Sequence, residues 1–417
     1  MDDTFQNLNN WNHEVQMNGF GYVLLPFTQL PTNTFRNGAF DWTTDDEANS
    51  YVDAQGLHIV PTMTLESTDI TRDQLLNGFT VNMTTNSKTW GKCTAKDIKK
   101  SNDRWPCAAR SNATLGQIIN PVRSARLNTK GKKTIKYGRV EVTARMPKGD
   151  WMWPAIWMMP QDDVYGEWPK SGEIDIAESR GNDARKYPMG NNLVSSALHW
   201  GTATENDRWR RAYGEWGGKR VIYSEDFHVY GLEWSEKYLF TWLDGRLRVS
   251  HLTNLSELMI LTPPSKCNSL TSPRTRISGP TVNSRASPST APSPLIHGAA
   301  PVVKTLLSTS PSISSSMSQS AVPTAGSRKS LHFPYNPNTK AHFLISLTIS
   351  RLRAGKLSRL THFCYRDAIG DKPWADSSET PMRDFWKAND TWLPTWGPVK
   401  DRGMIVKSVR MWQEGAC

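Results

Sequence analysis

The chain has 417 residues, a formal net charge of +11, 37% hydrophobic residues, 18 Trp and five Cys. That length and apolar content suit one large all-β domain or two ordinary ones, and exclude a peptide or a disordered protein. No apolar run reaches the roughly 20 residues of a membrane helix, and the opening MDDTFQNLNN lacks the regions of a secretory signal, so no membrane span is expected.

The basicity is local. Residues 251–366 hold 13 of the 50 Lys and Arg but one acid, Glu257, so 37 basic residues face 38 acids elsewhere. Such a distribution does not support a polyanion surface, and no nucleic-acid partner is expected. Five Cys are too few for a disulfide scaffold. Cys93 and Cys107 are the expected bridge, closing a short polar loop, and no C-x-x-C spacing argues for zinc. Asn82-Met83-Thr84, Asn112-Ala113-Thr114 and Asn389-Asp390-Thr391 fit the glycosylation pattern. They point to a secreted or cell-wall glycoprotein whose signal is missing from a truncated start.

In chain order, the first irregularity is residues 22–36, wedged between MNGFG and NGAFDW, which read continuously without it. From residue 37 to about 250 the pattern is short strands between turns. Lys130–Arg139 reads as a solvated turn entering a strand. In Tyr137–Met146, Val140, Val142, Ala144 and Met146 alternate with Arg139, Glu141, Thr143 and Arg145, the mark of a half-buried antiparallel strand. Trp153 and Trp157, four apart in the strand-like WMWPAIWMMP, share a face. Phe227–Trp234 and Tyr238–Leu243 flank the turn Ser235-Glu236-Lys237, and Asp244-Gly245 turns the chain again.

After His251 the texture changes to Ser and Pro, and no Trp lies between Trp242 and Trp374. Such composition cannot bury enough apolar surface to offset its ordering entropy, so residues 251–366 are expected to be a disordered, low-complexity or out-of-frame interruption. Residues 367–417 resume the earlier style and end in the alternating GMIVKSVRMW. The division is therefore 1–250 and 367–417 as one domain, interrupted by 251–366. With no long helical periodicity, two packed sheets are expected to bury the apolar faces.

One short stretch carries the chemistry. In GEIDIAES, residues 172–179, regular alternation puts Glu173 and Asp175 on one face and Glu178 on the other. A β-bulge at Ile176-Ala177 shifts later side chains by one face and returns Glu178 to the row. Three neighbouring carboxylates raise one another's pKa, which a structural strand has no use for. Retaining glycoside hydrolysis does, because it needs a nucleophilic carboxylate and an acid/base carboxyl about 5–5.5 Å apart. No G-x-S-x-G, P-loop or H-E-x-x-H motif competes.

GEIDIAES, with WMWPAIWMMP and GEWPKS before it and RGN and LHWG after it, resembles the laminarinase-type members of glycoside hydrolase family 16, fungal endo-β-1,3-glucanases in particular. The resemblance covers residues 37–250 and 367–417. It implies a concanavalin A-like β-jelly-roll sandwich with an open cleft. It implies Glu173 as nucleophile, Glu178 as general acid/base and Asp175 between them, hydrogen-bonding the nucleophile. Trp153, Trp157, Trp168, His199 and Trp200 are the candidate substrate-binding residues, since sugar rings pack their C–H faces on indoles. The expected partner is a β-glucan and the expected state a monomer. No cofactor is required; a structural calcium, common in the family, has no identifiable ligands here. Two other readings stay open: a non-catalytic β-1,3-glucan-binding protein on the same fold, and an inactive product of a disrupted glucanase gene. The family also carries a strand of L-I-L-N-x-A-x-G-G character beside the active site. HFLISLTISRLRAG stands in its place here, without the Asn and paired Gly, and reads as having lost strand alternation.

Overall fold

Alternation in sequence becomes alternation in burial along Gly138–Arg145, where Val140, Val142 and Ala144 are at most 1% exposed and Arg139, Glu141 and Thr143 are half-buried. The computed structural model describes residues 1–17, 39–95, 106–187, 189–218, 220–252, 340–349, 372–375 and 378–413. These all belong to one unit, Met1–Leu258 with Leu331–Cys417; a second unit, Met259–Ser330, lies outside the described residues.

Two eight-stranded antiparallel sheets make the sandwich. One contains Asp2–Asp3, Ser50–Asp53, Gly56–Ile59, Gly138–Arg145, His228–Trp234, Tyr238–Leu243, Arg246–Leu252 and Met404–Gln413. Its hairpins follow the turn residues. Ser235 Oγ accepts from the Lys237 and Tyr238 amides, and Asp244 and Gly245 both have positive φ, 49° and 74°, as a two-residue turn matching strand twist requires. The strand Met404–Gln413 lies between Gly138–Arg145 and Gly56–Ile59, so the end of the chain completes the middle of this sheet.

The other sheet carries the site. Its strands are β1 (Asn12–His13), β2 (Arg126–Asn128), β3 (Thr134–Ile135), β4 (Met152–Pro160), β5 (Glu173–Ser179), β6 (Leu193–His199), β7 (Tyr213–Gly217) and β8 (Ala341–Ile349). They run in the order β7-β6-β5-β4-β8-β2-β1, with β3 also pairing β8. Ile156, Met158, Ile174, Phe343, Ile345 and Leu347 turn inward and share one apolar cluster with Val140, Val142, Tyr230, Leu232 and Val409 of the opposite sheet. This is the all-β jelly-roll architecture expected from the sequence.

The position of β8 corrects the sequence reading. Part of the stretch set aside as an interruption is a strand at the centre of the site-bearing sheet, paired along its whole length with β4 and also with β2. Ala341, Phe343, Ile345 and Leu347 face the core, while His342, Leu344 and Ser346, on the other face, are also at most 4% exposed. A strand buried on both faces reads as a nearly continuous apolar run, which hid its alternation. Neither Asn nor paired Gly is needed for the ladder, because backbone groups make it. The rest of 251–366 beyond Leu252, apart from Lys340, lies outside the described residues.

Residues 22–36 also lie outside them. The flanking ends do not: Asn120 Nδ2 donates to the carbonyls of Met17, Phe40 and Asp41 at 3.1, 3.3 and 3.1 Å. The expected disulfide between Cys93 and Cys107 is present, beside the small hairpin Thr80–Asn82/Ala108–Arg110. Much of the Trp content is packing. Trp151, Trp374, Trp392 and Trp396 are at most 3% exposed and form an aromatic cluster with Phe40 and Phe385.

Candidate active site

The parity problem in β5 resolves as a bulge. Against β4, Asp175 pairs with Trp157 and Ile174 with Met158, but Ala177 pairs with Ile156 and Glu178 with Ala155, so Ile176 has no partner of its own. Against β6, Asp175 opposes Ala197 and Glu178 opposes Ser195, so Ile176 and Ala177 together stand against Ser196 alone. Ile176 and Ala177 therefore both enter the core, and Glu178 emerges beside Glu173 and Asp175. All three acids stand on the face of Trp153, Trp157 and His199.

The acids have distinct surroundings. Glu173 is half-buried and its Oε2 accepts from Trp168 Nε1 at 2.5 Å, which steers one carboxylate oxygen and leaves the other for chemistry. Asp175 is 2% exposed, and Glu178 is half-buried. Burial, then the neighbouring charges of Glu173 and Glu178, push the Asp175 carboxyl well above the usual range, against His199. Burial also raises Glu178, aided by Glu173 and opposed by Arg180, His199 and the Trp153 indole N–H. A raised pKa keeps a carboxyl protonated near neutrality, the state a general acid needs.

His199 sits at the end of β6, opposite Glu173. Its Nδ1 lies 2.6 Å from Asp207 Oδ2 and its Nε2 lies 3.2 Å from Asp175 Oδ2, the latter an ion-pair contact rather than an aligned hydrogen bond. Burial works against charging the ring, but Glu173, Asp175 and Asp207 together raise it well above the ordinary histidine value. Ligand atoms of Glu173, Asp175 and His199 fall within 4.8 Å of one another, the spacing of a cation site. His199 Nδ1 also faces Asp207 Oδ2, so of its two ring nitrogens only Nε2 is turned toward the other two groups.

The candidate aromatics divide. Trp168 lies against His199, ring centroids 5.5 Å apart, beside Glu173. Trp153 is on the site face with Arg180 stacked over it at 4.6 Å. Trp157 reaches the same face, where Arg126 covers its ring at 4.4 Å, leaving it 9% exposed; its Nε1 donates to Ser346 Oγ at 3.3 Å. Arg126 in turn pairs with Glu14 at 2.7 Å. Trp200 is a correction: it packs against the hydrophobic core, because alternation sends the residue after His199 to the other side. Sequence reasoning missed Asp207, Trp209 and Arg180. Trp209 stacks on His199 at 6.1 Å, and both it and Asp207 come from a loop of irregular periodicity that offers no pattern to read. A surface depression of about 460 Å³, lined by residues such as Gly131, Lys132, Gln161 and Lys340, shares no residue with the acid row.

Comparison with known proteins identifies the family. The model for "Glycosyl hydrolases family 16" matches residues 39–271, more than half of the chain and inclusive of the acid row. The chain belongs to glycosyl hydrolase family 16. Among similar proteins, a β-1,3-glucan-binding protein of Penaeus monodon is 28% identical over 421 residues, spanning 99% of this chain and 89% of that protein. A glucan endo-1,3-β-glucosidase of Cryptopygus antarcticus is 40% identical over 139 residues, 32% of this chain and 46% of that protein. Among solved structures, the laminarinase of Rhodothermus marinus is 16% identical, with a TM-score of 0.44 over 99% of this chain and 93% of that chain.

Proposed function

We propose that this family 16 chain is a secreted, endo-acting hydrolase of β-1,3-glucans, with mixed β-1,3/1,4 chains as further substrates, working by retaining double displacement. The observation that carries this reading is the bulge in β5, which turns Glu178 to the side of Glu173. A strand that only bound glucan would have no need to crowd three acids at the electrostatic cost seen in the raised Asp175 and Glu178.

In the first step the Glu173 carboxylate attacks the anomeric carbon. The bond to the leaving sugar breaks, and Glu178 gives its proton to the departing oxygen. Trp168 orients Glu173 by donating to its Oε2, and Asp175 stands beside it on the same face, its own carboxyl raised by burial and in part by the Glu173 charge. With Glu173 now an ester, one negative charge near Glu178 is gone. Glu178 loses proton affinity, takes a proton from water, and that water's oxygen displaces Glu173 from the sugar. Trp168, beside Glu173, is the aromatic residue best placed for a sugar ring. The Cys93–Cys107 bridge supports an oxidising, extracellular setting.

Arg180 lowers Glu178, so Arg180→Gln is expected to move the alkaline limb of the kcat/KM profile to higher pH. An unmoved limb would remove Arg180 from the scheme. A second reading, glucan binding without cleavage, is favoured by the β-1,3-glucan-binding name of the relative that spans nearly the whole chain. Reducing-sugar release from laminarin separates the two. Release that Glu173→Ala abolishes supports the hydrolase; saturable laminarin binding without release supports the binding protein.

A further inference from the structure

The loop that follows β6 contributes a carboxylate to the site that none of the proposed chemical steps uses. Asp207 is almost wholly sheltered, its side chain 9% exposed, and both of its oxygens are engaged. Oδ2 lies 2.6 Å from His199 Nδ1, while Oδ1 accepts from the backbone amides of Trp200 and Trp209, each at 3.2 Å. The same carboxylate thus ties down the two aromatic residues that flank the loop and grips the far side of the histidine ring. The groups facing that ring are Glu173, Asp175 and Glu178 from β5 and Asp207 from the loop, with the Trp168 and Trp209 rings on its faces and Arg210 stacked beyond Trp209. A neutral imidazole can donate from only one nitrogen, whereas here both nitrogens face carboxylate oxygens.

We propose that Asp207 is a positioning residue of this site: it holds the His199 ring, protonated at both nitrogens, between itself and Asp175, so that a fixed positive charge faces the acid row. The Asp207–His199 pair is neutral as a whole, but its positive end points at Glu173, Asp175 and Glu178. That end lowers the proton affinity of Glu178. The loop therefore helps to set the pH at which Glu178 gives up its proton. The kinetic consequence rests on the hydrolase reading; the charge state of His199 does not.

Asp207→Asn separates charge from shape. The carbonyl of the substituted amide can keep both backbone N–H bonds, while its NH₂ meets His199 Nδ1, which must then accept and lose its proton. In the intact chain, ¹⁵N NMR of the nine histidines, with His199 assigned by a His199→Gln difference, should show both ring nitrogens of His199 protonated through neutral pH. In Asp207→Asn the midpoint should fall by about 1–3 pH units. On laminarin, the alkaline limb of the kcat/KM profile of Asp207→Asn should move to higher pH, whereas a merely structural residue would lower kcat with that limb in place. A neutral His199 ring in the parent chain between about pH 6.5 and 8, or an unchanged midpoint in the variant, overturns the proposal. Should the variant fail to fold, the parent measurement decides alone. A parent chain that releases no sugar defeats the hydrolase reading and leaves the titration readable.

Discussion

Glu178→Gln should reduce laminarin hydrolysis by about 10²–10⁴-fold, the usual worth of a positioned general acid. The loss should depend on the leaving group. An aryl β-glucoside whose phenol departs without protonation should still form the glycosyl-enzyme, so the first step survives and the intermediate accumulates. Equal losses on both substrates would take the acid role away from Glu178. The same variant makes a stability prediction of opposite sign. Burial raises the folded-state pKa of Glu178 above its unfolded value, so as pH rises the unfolded chain releases this proton first. Glu178 therefore costs stability above its unfolded pKa, the cost growing until pH passes the folded value. Gln carries no such penalty. Glu178→Gln should melt above the parent at pH 7, and the difference should shrink toward pH 4.

Phe343→Ala should destabilise the fold by about 3–5 kcal/mol, a large part of the roughly 5–15 kcal/mol that holds a typical domain together. Phe343 is fully buried in β8 and packs edge-to-face on Trp11 at 5.9 Å. Its amide donates to Thr129 Oγ1, and its carbonyl accepts from the Thr129 amide. Denaturant unfolding checks this, with the exposed Lys340→Ala as the comparison, expected to lie within about 0.5 kcal/mol of the parent. A Phe343→Ala cost no larger than that of Lys340→Ala would mean that β8 does not fill the gap between β4 and β2. The result bears directly on the site, because β4 reaches the acid row on one side and β8 on the other.

The legible parts of this chain are those whose signal is local. Val140, Val142 and Ala144 announce their strand by period, and Asp244-Gly245 its turn by dihedral preference. The E-x-D-x-x-E spacing implies a bulge, since no regular strand can align it. Other parts were hidden for a common reason. The β8 strand is buried on both faces, so its pattern is not that of a half-exposed strand. Trp200 looked like a site residue because its neighbour His199 is one, and a single step along a strand reverses the face. Asp207, Trp209 and Arg180 reach the site from loops and strand ends, where no period assigns a direction.

The sequence by itself therefore determined the all-β class, the kink at Ile176-Ala177 and the presence of three acids on one surface, because each follows from residues within one or two turns of chain. Only the tertiary structure decided which strand lies between β4 and β2, which tryptophans face the row, and that His199 is gripped by carboxylates from two different elements. Those outcomes depend on contacts between residues far apart in the chain: Trp157 meets Ser346 across 189 residues. Pairing at that range is chosen by shape and burial in the assembled sandwich rather than by any preference written into the local chain.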